Sequence, residues 1–177
     1  MRQPTPIKEE LFFDTDEIIV SKTDATGKIR YANDVFCRLA EMPTEQLIGQ
    51  PHSVIRHPDM PRAIFRLLWE SIQAGRELFA YIKNISATGR YYWVIAHVTP
   101  SMSPAGELLG YHSNRRKPSP GAIREIETWY QELRFLETAA PDRKQGLEAS
   151  WEAFNDRITK SGKTYDEFIW DLGARHV

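Results

Sequence analysis

The sequence predicts an α+β fold: a five-stranded antiparallel sheet with short helices on one face, followed by a helical C-terminal extension. Three observations predict it. Strand-like runs rich in β-branched and aromatic residues come as a pair and then as a triplet. The stretch between them carries apolar residues at helical spacing. After the break "KPSPG" at 117–121, only helical spacing remains.

Residues 1–15 hold Pro4 and Pro6 and show no period, so they form an N-terminal arm. "EIIVSKT" (17–23), the turn "DATGK" with Gly27, and "IRYAN" (29–33) read as a β-hairpin. Asn33 stands where an N-cap belongs, ahead of Phe36, Leu39 and Ala40 at helical spacing, and Gly49 closes the turn "TEQLIG". In 61–74 a stripe of Phe65, Leu68, Trp69 and Ile72 marks the longest helix of the first half, which Gly75 stops. "LFAYIKNIS" (78–86), "YYWVIAHVTPSM" (91–102) and "ELLGYHSNRR" (107–116) are strands of a meander joined by glycine-containing turns. Ser119 then caps a helix with Pro120 in its first turn and one face made of Ile123, Ile126, Tyr130 and Leu133. A second helix after Pro141 carries Leu147, Trp151, Phe154 and Ile158, and a Thr164/Glu167 capping box opens a third before Phe168 and Ile169. The expected organisation is thus an arm at 1–15, an α+β domain at 16–117 and a helical extension at 118–177.

Length and composition bound the function. With 177 residues and 41% hydrophobic content the chain has enough apolar material for a real core. Its 23 Lys+Arg against 24 Asp+Glu lack the basic excess that nucleic acid or an anionic membrane favours. No apolar run approaches the roughly 20 residues of a membrane span, and the start "MRQPTPIKEE" is too polar for a signal peptide. The expectation is a cytoplasmic protein with no nucleic-acid partner and no membrane span. A single cysteine, Cys37, excludes an internal disulfide and a CxxC redox pair, so redox chemistry requires a bound cofactor. No nucleophile, phosphate-loop or zinc-protease motif is present, and a non-enzymatic role is expected.

Two clusters remain to be explained. In "IRHPDMP" (55–61), Pro58, Asp59 and Pro61 suit the start of a helix, with Asp59 or Met60 as its cap. Arg56 and His57 are not needed for that, and a cation and an imidazole on a rigid turn are suited to holding a cofactor. In "YYWV", alternation sends Tyr91 and Trp93 to one face and Tyr92 to the other, so Trp93 either packs a core or lies against a flat ligand. Asn84 is disfavoured inside a strand and needs partners if buried. His97 shares the face of Trp93 and is either a hydrogen-bonded histidine or a haem ligand.

The order of elements and the words "YAND.F" (31–36), "LIGQPHSVIRHPDMP" (47–61), "LW" (68–69), "KN" (83–84), "G..YWV" (89–94) and "GY.S.R" (110–115) resemble a PAS domain. Specifically, they resemble the PAS sensor of bacterial aerotaxis receptors, the Aer type, over about residues 12–118. It implies non-covalent FAD between the helices and the sheet, with Asn33, Arg56, His57 and Asp59 required for binding and with Trp69, Asn84 and Trp93 as further pocket features. It also implies redox or oxygen sensing in chemotaxis, relayed through the C-terminal helices to a signalling partner or within a homodimer. Relatives carry a tryptophan early in the first meander strand where this sequence has Leu78 and Phe79. Cys37 lies outside the helix that carries the photoreactive cysteine of related flavin photoreceptors, so no covalent photoadduct is expected. The alternatives are a haem-binding gas sensor using His57 or His97 as ligand, and a cofactor-free interaction module.

Overall fold

The computed structural model describes residues 4–176. Five strands, β1 (Ile19–Asp24), β2 (Ile29–Ala32), β3 (Leu78–Ile85), β4 (Tyr91–Met102) and β5 (Leu108–Arg116), form one antiparallel sheet in the order β2-β1-β5-β4-β3. Between β2 and β3 lie α1 (Asp34–Ala40), α2 (Thr44–Leu47), a 3₁₀ turn (His52–Ile55) and α3 (Arg62–Gln73). Three longer helices follow β5: α4 (Pro120–Ala139), α5 (Arg143–Ser161) and α6 (Tyr165–Ala174).

Local signals set most of these boundaries. Asn33 caps α1, its Oδ1 accepting from Phe36 N at 3.1 Å. Ser119 caps α4 ahead of Pro120, and Thr164 with Glu167 closes a capping box on α6. The N-terminal arm is tied down. Where β5 has ended, Tyr91 N donates to Glu9 O at 3.0 Å and Leu11 N donates to Tyr91 O at 2.7 Å. Gly89 makes this approach feasible, since a Cβ there would collide with the Thr5 carbonyl.

The sheet is covered on both faces, so the core is split in two. Ile19, Ile29, Phe36, Leu39, Leu47, Tyr92 and Val94 build one cluster under α1 and α2. Tyr81, Trp93, Ile126, Trp129, Tyr130, Phe154 and Ile169 build the other, where α4, α5 and α6 pack against the opposite face and against α3. The first exposed edge, β3, is shielded by the 56–60 segment: Arg56 bridges to Asn84, and His57 N donates to Lys83 O at 3.3 Å.

The start of α3 departs from expectation. Neither Asp59 nor Met60 caps it; the N-cap is Pro61, which has no side chain able to accept. The missing acceptor comes from 75 residues away. The side chain of Glu137, fully buried near the end of α4, accepts from Arg62 N at 2.7 Å and from Ala63 N at 3.2 Å. It also pairs with Arg62 Nε and Arg134 Nη1, both at 3.1 Å. A carboxylate at a helix N-terminus meets unsatisfied N–H groups and the positive end of the dipole together. Replacing Glu137 by alanine strands two arginines and two backbone donors, so urea denaturation should show a loss of about 3 kcal/mol or more; a loss under about 1 kcal/mol would mean that the cap is not formed.

Candidate functional site

A cavity of about 280 Å³ lies between the sheet and α3. It exists because the inward-facing residues of the sheet are small. Ala80 on β3 pairs with Ala96 on β4, and Ser21 on β1 pairs with Ser113 on β5. The same strands turn Phe79, Tyr81, Trp93 and Ile95 outward, where α4 and α6 cover them. Phe65, Leu68, Trp69 and Ile72 of α3 form the opposite wall, with the Trp69 ring edge-on to Tyr111 at 5.8 Å.

The cavity is apolar in outline but holds a cluster of buried polar groups. Arg115 is 4% exposed, and its Nη2 donates to Ser21 Oγ at 3.0 Å and to His52 Nε2 at 2.6 Å. A guanidinium only donates, so Nε2 accepts and the His52 ring is the neutral Nδ1–H tautomer. Burial, then the Arg115 and Arg56 cations, hold His52 well below the ordinary histidine value of 6.5. His52 lines the cavity and is half-buried. Burial also lowers Arg115 to about 10. No carboxylate lines the cavity among the described residues.

Several polar atoms here lack hydrogen bonds within the protein: Thr23 Oγ1, Ser113 Oγ and Arg115 Nη1. Asn84 Nδ2 joins them, with the Tyr92 hydroxyl beside it but outside normal hydrogen-bond geometry. Each such group costs about 1–3 kcal/mol when left unmade, so a cluster of them around one space is a feature to be explained.

The residues singled out from sequence divide three ways. Arg56, Trp69 and Asn84 line the cavity, and the Arg56 guanidinium lies 3.4 Å from the centre of the Phe65 ring. Asn33, His57 and Asp59 do not. Asn33 is consumed locally, its Oδ1 accepting also from Val20 N and its Nδ2 donating to Ile18 O. His57 is buried against Tyr91 behind the β3 edge, and its Nδ1 accepts from Asp59 N at 3.1 Å. Burial lowers its pKa, while the Asp59 carboxylate opposes that shift. His57 and Asp59 tie the segment that carries Arg56 to Lys83 of β3, whereas Asn33 ties α1 to β1.

Trp93 and His97 require correction. Alternation turns Trp93 away from the cavity onto α4, 6.2 Å from the Tyr130 ring, so it walls the outer core instead of a ligand in that space. With Asp59 it borders a second hollow, of about 380 Å³, between β3 and α4. His97 is outward too, stacked on Phe79 at 4.1 Å and bonded to Glu77, and neither it nor His57 reaches the cavity as an iron ligand. Sequence reasoning missed His52, Arg115, Ser21 and Ser113. The signal was present in β5, where an arginine alternates in phase with Tyr111 and Ser113.

A family model described as the PAS fold matches residues 15–113. The chain belongs to the PAS family. This PAS domain is 34% identical over 132 residues to the aerotaxis receptor of Escherichia coli K12, covering 75% of this chain and 25% of the receptor. It is 27% identical to the nitrogen fixation regulatory protein of Klebsiella pneumoniae over 94% of this chain and 34% of that protein. The chain therefore spans a quarter to a third of these relatives. Among solved structures, a light-oxygen-voltage domain from a flavin-analogue study superposes with a TM-score of 0.55 at 14% identity, covering 63% of this chain and 83% of that one. The light state of the Aureochrome1 light-oxygen-voltage photoreceptor gives 0.53 at 18%, covering 68% and 91%. These two likenesses carry the fold alone. No helix among the described residues is long and apolar enough to cross a membrane.

The neutral, buried His52 has a thermodynamic consequence. Its folded pKa lies below its unfolded value, so unfolding takes up a proton and stability falls as the pH drops below about 6.5. One such proton contributes a slope of up to about 1.4 kcal/mol per pH unit. Chemical denaturation of wild type and His52→Asn between pH 7 and pH 5 should show a shallower slope in the variant; equal slopes would place a charged or freely solvated imidazole there.

Proposed function

We propose that this PAS domain, at 16–117, binds FAD non-covalently in the cavity and senses redox state or oxygen in the cytoplasm, as a signalling module and not a catalyst. One observation carries the reading: an alanine-floored, aromatic-walled space is ringed by buried donors that the protein leaves unpartnered. A flat heteroaromatic ring edged with acceptors meets both requirements. The cavity is at the lower end of small-molecule sites, which suits a ring system and not a whole dinucleotide. The similarity to an aerotaxis receptor agrees with this reading. A flavin supplies reversible electron transfer when bound.

The chain's own residues do the rest. Trp69 and Phe65 wall the space, Asn84 and Arg56 present donors, His57 and Asp59 hold the Arg56 segment against the β3 edge, and Asn33 fixes the start of α1 against β1. For output, α3 stands between the cavity and the extension at 118–177. One face carries Phe65 and Trp69; its N-terminus is held by Glu137, and Arg66 contacts Glu148 and the Trp151 ring on α5. A shift of α3 is thereby felt by α4 and α5, which pass it to a signalling partner or a second copy. A ligand can drive this only by its differential affinity for two arrangements.

The visible spectrum of protein purified without added cofactor decides between the readings. A two-banded flavin spectrum, with FAD released on denaturation, is the expected result. One intense Soret band would replace FAD with haem, and a colourless protein that no flavin reconstitutes would sink the proposal. Asn84→Ala should weaken FAD binding roughly tenfold, the equivalent of one lost hydrogen bond to a buried group, with circular dichroism unchanged.

A further inference from the structure

Resting on that reading, we propose that Arg115 forms a fixed anion-holding subsite on the cavity floor, aimed at the ligand's ring system and not at its phosphates, and that it favours the reduced, negatively charged ring. Three features of the site carry this. Arg115 belongs to the middle of the floor: on β5 it pairs with Ala96 of β4 on one side and Ile19 of β1 on the other. Its guanidinium is locked, because Nη2 is spent on His52 and Ser21, while the buried Nη1 has no hydrogen-bond partner within the protein and the residue itself lines the cavity. Its charge is uncompensated, since its neighbours are the neutral His52 ring, the Ser21 hydroxyl, the Tyr92 phenol and the Phe36 ring face at 5.5 Å.

A buried cation without a counter-ion destabilises the protein that holds it. Such a group is tolerated where a ligand provides the missing charge or acceptor. The position argues for the ring. Phosphates are strongly hydrated and multiply charged, whereas Arg115 lies at the closed, sheet side of a space too small for a dinucleotide. A ring that gains negative charge on reduction meets a preplaced guanidinium, and the surrounding low dielectric strengthens that attraction. His52 acts as a positioning residue, fixing Arg115 by accepting from it.

The test compares wild type with Arg115→Met and Arg115→Lys, first as apoprotein and then titrated with riboflavin and with FAD. Apo Arg115→Met should melt at a higher temperature than apo wild type, because an uncompensated charge has been removed. It should bind riboflavin and FAD more weakly by a similar factor, roughly tenfold or more, and its bound flavin should have a more negative midpoint potential. Arg115→Lys should lie between. A loss confined to FAD, with riboflavin unaffected, would assign Arg115 to the phosphates and overturn the inference. So would an unchanged potential, or an apo Arg115→Met less stable than apo wild type, which would make Arg115 structural. Failure of the wild type to bind either flavin would instead bring down the proposed function, and this inference with it.

Discussion

Period-two alternation along β3 and β4 is the constraint on which the rest depends. Each strand serves two unlike surfaces, and a side chain's parity decides which one it meets. Even positions, Ala80, Ile82, Asn84, Ala96 and Val98, border the cavity. Odd positions, Phe79, Tyr81, Trp93 and Ile95, pack against the C-terminal helices. A one-residue slip would fill the cavity with aromatic rings and leave α4 facing alanines. Small-in, large-out alternation therefore creates the cavity and the packing surface for the extension in one stroke.

The edge of the sheet is the second structural problem, and "RHPDM" solves it. An unpaired β3 would offer bare backbone groups to solvent or to another chain. The segment covers that edge through Arg56, His57 and Met60, whose Sδ accepts from Lys83 N. Covering the edge also aims Arg56 into the cavity. The tight loop leaves α3 without a side-chain cap of its own, which makes the helix depend on Glu137. The pocket wall and the C-terminal extension are thus joined by a buried carboxylate as well as by apolar contact.

Polar groups at the floor run against what stability alone would select. Arg115, Ser113 and Asn84 are buried with hydrogen-bonding capacity unused, as is the Oγ1 atom of the half-buried Thr23. Conflicts of this kind concentrate at functional sites, because a group held ready for a ligand cannot also be satisfied by the protein. In the outer core the buried Tyr130 donates its hydroxyl to Tyr81 O at 2.9 Å, whereas the Ser150 and Tyr165 hydroxyls there lack a hydrogen-bond partner.

Local chemistry was legible from the residues: Asn33, Ser119 and Thr164 as caps, Gly75 as a terminator, the hairpin, the meander and the α3 stripe. These depend on neighbours within a few positions, so the sequence by itself determined them. Arg56, Trp69 and Asn84 were also recognisable as candidates, through their motif words and, for Asn84, through being out of place in a strand. Parity told that Trp93 and Tyr92 face opposite ways but not which way is inward, because both faces of this sheet are covered. Only the tertiary structure decided that Trp93 points to α4, that a carboxylate from α4 caps α3, and that Arg115 meets His52. Those pairings join residues 37 to 75 positions apart, where no local period carries information.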